Sequence, residues 1–216
     1  MTTASPTSRP PRADGVRNRR LLLSAAADAF AEHGTDVSIA EIAQRAGIGK
    51  GTVFRHFTTK EDLLAAIMGE MVDGLVAVGV GLSDAEDPAQ ALLAFMTAGV
   101  ELLAKDRAFC EVVGRPSLHH PDVRAGLERL CDVAERLTDR ARRQKAIRPD
   151  VTGTDIVLLL GGVHQTAAPL LGAEPQLWRR YLGLVFDGIR SDRAQPLPHP
   201  APRELRFTET TPDPSE

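Results

Sequence analysis

Ser38-Ile-Ala-Glu-Ile-Ala-Gln-Arg-Ala-Gly47-Ile-Gly-Lys-Gly-Thr52-Val-Phe-Arg-His-Phe57 is the stretch on which the fold turns. Ser38 with Glu41 three residues on is the pattern of a capping box, in which each side chain satisfies a backbone N–H of the first helical turn. Ile39, Ile42, Ala43 and Ala46 then recur at i, i+3, i+4 and i+7, one face of a helix. Gly47 stops that helix after about two turns and allows the left-handed conformation a tight turn requires. A second short helix over Lys50–His56 is predicted, anchored by Ile48, Val53 and Phe57. Two short helices joined by a glycine turn make a helix-turn-helix. Lys50, Thr52, Arg55 and His56 are left to face a major groove.

Charge agrees with this reading. The chain of 216 residues is slightly acidic overall, with net charge −3, so it is no general polycation. From Ile42 to Lys60 there is no acidic side chain, whereas Arg45, Lys50, Arg55 and Lys60 are basic. A local positive patch is what contact with DNA phosphates needs. The N-terminal segment adds Arg9, Arg12, Arg17, Arg19 and Arg20 against Asp14.

Outward from the motif the pattern is helical nearly throughout. A helix over Arg17–His33 carries Leu22, Ala26, Ala29 and Phe30 on one stripe, with Gly34 as its cap. Thr59 and Asp62 cap a helix running to about Val78. Pro88 begins another that ends near Lys105. Short, long, apolar and final helices are predicted over Arg107–Val113, Pro121–Lys145, Thr154–Ala167 and Pro175–Arg190. The fold class is therefore all-α, with about nine helices. Aromatics at 4 % of the chain argue against a β-sandwich. Residues 1–16 and the proline-rich residues 191–216 are expected to be disordered. Residues 17–62 form the helix-turn-helix unit and residues 63–190 a second helical domain. No apolar stretch reaches about 18 residues, so no membrane helix is predicted. With two cysteines and no apolar leader, a reducing cytoplasm is expected.

The order of residues from Arg20 through Phe30, Gly34, Ser38, Gly47, Thr52 and Phe57 to Lys60-Glu-Asp-Leu-Leu64 resembles the N-terminal domain of the TetR family of transcriptional repressors. The resemblance covers about the first third of the chain outside its tails. It implies a regulator released from a palindromic operator by a small-molecule effector, with no cofactor. Position by position it implies DNA contacts from Ser38, Lys50, Thr52, Phe54, Arg55, His56 and Lys60, with Arg17, Arg19 and Arg20 reaching the adjacent backbone or minor groove. Phe54 stands where the family commonly has Tyr; a Phe keeps a ring contact and loses the hydroxyl-to-phosphate bond. The resemblance also implies a homodimer. The last two helices are the predicted interface, through Leu159, Val163, Trp178, Tyr181, Leu182, Val185, Phe186 and Ile189, two helices per subunit making a four-helix bundle.

Phe95, Met96, Leu103, Phe109, Cys110, Leu130, Cys131 and His164 are the candidates for lining an effector pocket, mostly apolar and so suited to a hydrophobic effector. Each could equally be ordinary core. Gly47-Ile-Gly-Lys-Gly-Thr52 superficially resembles a phosphate loop, but Gly51 separates Lys50 from Thr52 and the segment follows a helix. His119 and His120 are adjacent and diverge on a helix, which argues against a metal site. A helical-bundle enzyme would need paired ligands or a nucleophile with its base. The apolar helices offer only Glu101 and His164.

Overall fold

The computed structural model describes residues 11–33, 36–105, 120–190 and 195–202, and among them it holds eight α-helices and no strand. They are α1 (Pro11–His33), α2 (Ile39–Arg45), α3 (Lys50–His56), α4 (Lys60–Gly81), α5 (Pro88–Lys105), α6 (Pro121–Arg143), α7 (Gly153–Ala167) and α8 (Leu177–Ile189), with a short 3₁₀ turn at Ala168–Leu170. The short helix expected over Arg107–Val113, with Phe109 and Cys110, lies outside the described residues, as do Gly34 and His119.

Two expectations about the ends are corrected. Helix α1 begins at Pro11, six residues before the expected start. Proline at the first helical position brings its φ pre-set and loses no needed donor. That first turn lacks an apolar stripe, so periodicity could not report it. The C-terminal tail is also held in part. Arg148 donates to Asp150 Oδ1 at 2.6 Å and to its Oδ2 at 3.0 Å, and its guanidinium also donates to the Gln195 carbonyl. Leu197 N donates to Asp150 Oδ2 at 3.0 Å. One ion pair thus satisfies two backbone groups of the tail, a local tie that composition does not reveal.

The apolar side chains gather into two cores. The N-terminal core joins Leu22, Ala26 and Phe30 of α1 to Ile42, Val53, Phe57 and the first half of α4. The C-terminal core joins Val72 and Leu75 of α4 to α5, α6, α7 and α8 around Phe95, Met96, Leu137, Ile156 and Trp178. Helix α4 enters both. So does α6, whose Val123 belongs to the N-terminal core.

Helices α4 and α6 run side by side in the same direction. His120 Nε2 lies 3.5 Å from Asp62 Oδ1 near their starts, Arg129 Nη2 2.7 Å from Asp73 Oδ1 in the middle, and Arg140 donates to the Leu82, Ser83 and Ala85 carbonyls at their ends. Glycine permits the close approach: a Cβ on Gly126 would stand 3.3 Å from Val72, and one on Gly79 would run into Val133 and Phe95. Helix α4 is long and apolar enough to span a membrane by length and composition, contrary to the sequence expectation. Here Leu63, Leu64, Ile67, Met68, Val72 and Leu75 are buried in the two cores, the burial that explains its hydropathy.

Candidate nucleic-acid interface

Helix α2 is held by its cap. Glu41 N donates to Ser38 Oγ at 3.2 Å, and Ser38 N donates to Glu41 Oε2 at 2.8 Å. The Ser38 hydroxyl, donating to Glu41 Oε2 at 2.7 Å, and the Ser38 N–H together keep the Glu41 carboxyl below its ordinary pKa. Gly47 adopts φ +65°, the left-handed turn read from the sequence, and Ile48 N donates back to the Ala43 carbonyl at 3.0 Å. The chain then turns into α3.

Helix α3 divides cleanly. Val53 is fully buried and Phe57 nearly so, and half-buried Ile48 packs against the same core. Lys50, Phe54, Arg55 and His56 are exposed and Thr52 is half-buried. Thr59 and Asp62 repeat the capping box at the start of α4, with Asp62 N donating to Thr59 Oγ1 at 3.1 Å. Hydrogen bonds from Thr59, then from His120 and the Thr58 backbone, lower the Asp62 pKa. Lys60 sits on this first turn, its ammonium 6.0 Å from the Phe30 ring centroid.

The structure redistributes the charge expected on this surface. Arg45 turns onto α1 and grips Glu32 with both terminal nitrogens, Nη1 to Oε2 at 2.7 Å; that hydrogen-bonded pair lowers the Glu32 pKa and raises that of Arg45. Arg45 is therefore neutralised within the domain. Arg19 is also turned back, pairing with Glu70 at 3.0 Å and lying 5.6 Å over the Phe57 ring. Arg17 and Arg20 stay exposed. Ser38 is exposed but its hydroxyl is engaged with Glu41 at 2.7 Å.

The second set of candidates falls in the C-terminal core. Phe95, Met96, Leu103 and Leu130 are buried there. Cys131 is half-buried, and burial pushes its thiol pKa up. His164 is buried on α7, and desolvation holds its imidazole below the ordinary value.

The residues named for a dimer interface divide by their burial within the protomer. Val163, Trp178, Leu182, Phe186 and Ile189 are between 2 and 8 % exposed and belong to the protomer's own core, while Leu159, Tyr181 and Val185 are half-buried. The outward face of α7 and α8 carries Leu158, Gly162, Leu184 and Gly188. An all-round apolar helix shows that several sides are covered, not which stripe turns inward. Leu158 and Leu184 could have been found as apolar residues standing off the stripes through Ile156 and Leu160 and through Trp178 and Leu182.

Comparison with known proteins agrees with this arrangement. Residues 22–67 match the bacterial regulatory proteins of the tetR family, and residues 87–191 match the C-terminal domain of SbtR-like transcriptional regulators. An HTH-type transcriptional repressor of Mycobacterium tuberculosis is 29 % identical over 80 % of this chain and 92 % of its own length. A TetR transcription regulatory protein from Mycobacterium vanbaalenii superposes with a TM-score of 0.60 at 30 % identity, covering 84 % of this chain and 99 % of its own. A TetR transcriptional regulator from Streptomyces coelicolor gives a TM-score of 0.62 at 28 % identity, over 81 % of this chain and 99 % of its own.

Proposed function

The chain belongs to the TetR family of bacterial transcriptional regulators, and on that premise we propose that it acts in the cytoplasm as a homodimeric repressor of a palindromic operator, released by a hydrophobic small molecule. One observation carries the reading. Helix α3 is anchored by Val53 and Phe57 and turns Lys50, Thr52, Phe54, Arg55 and His56 outward on a surface with no acid between Ile42 and Lys60. Lys50 and Thr52 take base edges at the start of α3. Arg55, His56, Lys60, Arg17 and Arg20 meet the backbone. Ser38, at the start of α2, donates its hydroxyl to a phosphate only after leaving Glu41, and Arg19 contributes only after leaving Glu70. A two-fold axis suits paired half-sites about one helical turn apart. The outward face of α7 and α8 supports the dimer.

The effector reading rests on the apolar character of the C-terminal core, where Phe95, Met96, Leu103, Leu130, Cys131 and His164 stand along α5, α6 and α7. Its route to DNA runs through α4 and α6, which enter both cores. A ligand that favours one setting of that pair shifts the spacing of the two α3 helices. Selection of sites from a random DNA pool by the intact protein tests the function. The expected result is an inverted repeat; enrichment of no sequence by an intact dimer overturns it.

A further inference from the structure

Two helix starts from different halves of the molecule meet at one imidazole. His120 is the N-cap of α6, and its Nδ1 accepts the Asp122 N–H at 3.3 Å. A neutral imidazole that accepts at one ring nitrogen donates at the other, so the ring proton sits on Nε2. That nitrogen lies 3.5 Å from Asp62 Oδ1. The other Asp62 oxygen, Oδ2, accepts the Thr58 N–H at 3.1 Å and the Thr59 N–H at 2.9 Å. Thr58 and Thr59 form the turn after Phe57, the ring that anchors the end of α3. A short polar path therefore runs from the start of α6, through one carboxylate, to the backbone that ends α3.

The apolar contact around this path does not fix a register by itself. Val123, in the first turn of α6, is buried in the N-terminal core, and Leu127 packs against both cores. Apolar contact is non-directional and tolerates a small rotation of α6. A hydrogen bond does not, because it weakens steeply out of line. The path is also better shielded than the Arg129–Asp73 pair. The His120 and Asp62 side chains are 24 and 38 % exposed, against 52 and 61 % for Arg129 and Asp73, and shielding from water strengthens a polar contact. Farther along α6, Leu130 belongs to the C-terminal core, so a rotation of α6 imposed there reaches Asp62.

We propose that His120 is a positioning residue: through Nε2 and Asp62 it sets the orientation of α3 against the C-terminal body, and with it the distance between the two α3 helices of a dimer. This rests on the operator-binding reading and names the residue that enforces half-site spacing. The Nδ1 contact caps α6, and the Nε2 contact sets the spacing.

Two variants separate these contacts. His120→Asn keeps a capping oxygen where Nδ1 stands and is too short to reach Asp62. His120→Gln places an amide donor near the Nε2 position and gives up the cap. Full-length wild type and both variants are titrated against the selected operator, against duplexes with one base pair added or removed between the half-sites, and against a single half-site. Wild type should prefer the native spacing. In His120→Asn that preference should shrink about fivefold, the scale of one hydrogen bond, with affinity for the single half-site unchanged. His120→Gln should keep the preference. The inference is overturned if wild type is indifferent to spacing, if His120→Asn keeps the wild-type preference or weakens half-site binding as much, or if His120→Gln loses the preference too. Sequence-specific binding with any of these results leaves the operator reading standing. Failure to select any sequence overturns both.

Discussion

The N-terminal and C-terminal cores share α4 and α6 but use polar groups in opposite ways. Around α2 and α3 the polar side chains cap a helix, as Ser38, Glu41, Thr59 and Asp62 do, pair with α1, as Arg45 does with Glu32, or face solvent, as Lys50, Arg55 and His56 do. Around α6 and α7 they are turned onto the protein's own backbone. Arg140 donates to the Leu82, Ser83 and Ala85 carbonyls. Glu135 takes the Gly153 N–H at 2.5 Å and pairs with Arg142, which also reaches the Val151 carbonyl at 3.2 Å. Arg148 joins Asp150 to the tail. The N-terminal unit ties down Arg45 and Arg19 but leaves Arg17, Arg20, Lys50 and Arg55 exposed. The C-terminal unit uses its cations to fix loops and helix ends, consistent with a body whose task is to hold and adjust a geometry.

Replacing Gly153 by alanine should break the C-terminal side most severely. Its Cβ would run into the backbone of Ala134 and Glu135, where no flexible side chain can give way. Overpacking of this kind costs up to about 3 kcal/mol, a fall of roughly 6–12 °C in Tm for a chain of this size. Calorimetry reads it, and an unchanged Tm would show that α6 and α7 separate easily.

Ser38→Ala should cost about 1 kcal/mol, the worth of a helix cap. It loosens α2, so DNA affinity should fall further than stability does. Parallel urea and DNA titrations check the split, and equal losses in the two would count against the cap's positioning role.

Arg129→Ala removes the middle polar link between α4 and α6. Both partners are more than half exposed at their side chains, so the stability change should be within about 0.5 kcal/mol. A much larger loss would mean that the pair, not the apolar contact of Val72 at Gly126, holds the two helices together.

Acid should act selectively on the tail. The Arg148 guanidinium beside Asp150 lowers its pKa from 3.8 to about 2. The folded value is depressed, so this contribution is fully present above the ordinary carboxylate value and disappears as pH falls through about 2. Exchange of the Leu197 amide should accelerate across that window in wild type. In Asp150→Asn it should be fast throughout, and a pH-independent rate in wild type would contradict the assignment.

The two halves also differed in legibility. Ser38 with Glu41, Thr59 with Asp62, and Gly47 each have a local physical meaning, and the structure shows two capping boxes and a left-handed glycine at those positions. The start of α5 was readable from Pro88. Long-range facts were not. Arg45 reaches Glu32 thirteen positions away, and Arg19 reaches Glu70 fifty-one away; no local pattern announces such a pairing. Trp178 and Phe186 are apolar whichever side of α8 faces inward, so periodicity could not tell the protomer's own core from a face turned to a second subunit. The capping box of Thr152 and Asp155 was locally visible, yet the apolar run after it drew the predicted helix start to Thr154.

The central claim is that α3 reads sequence while the rest of the chain sets where α3 stands. Fluorescence anisotropy with the selected operator and a scrambled duplex, titrated at two salt concentrations, tests it most directly in wild type and in Lys50→Ala combined with Thr52→Ala. The account predicts steep salt dependence in both proteins, because Arg55, Lys60, Arg17 and Arg20 still meet phosphates. It also predicts that the double variant loses roughly 100-fold of its preference for the operator with an unchanged melting temperature. A double variant that keeps the wild-type preference would contradict it.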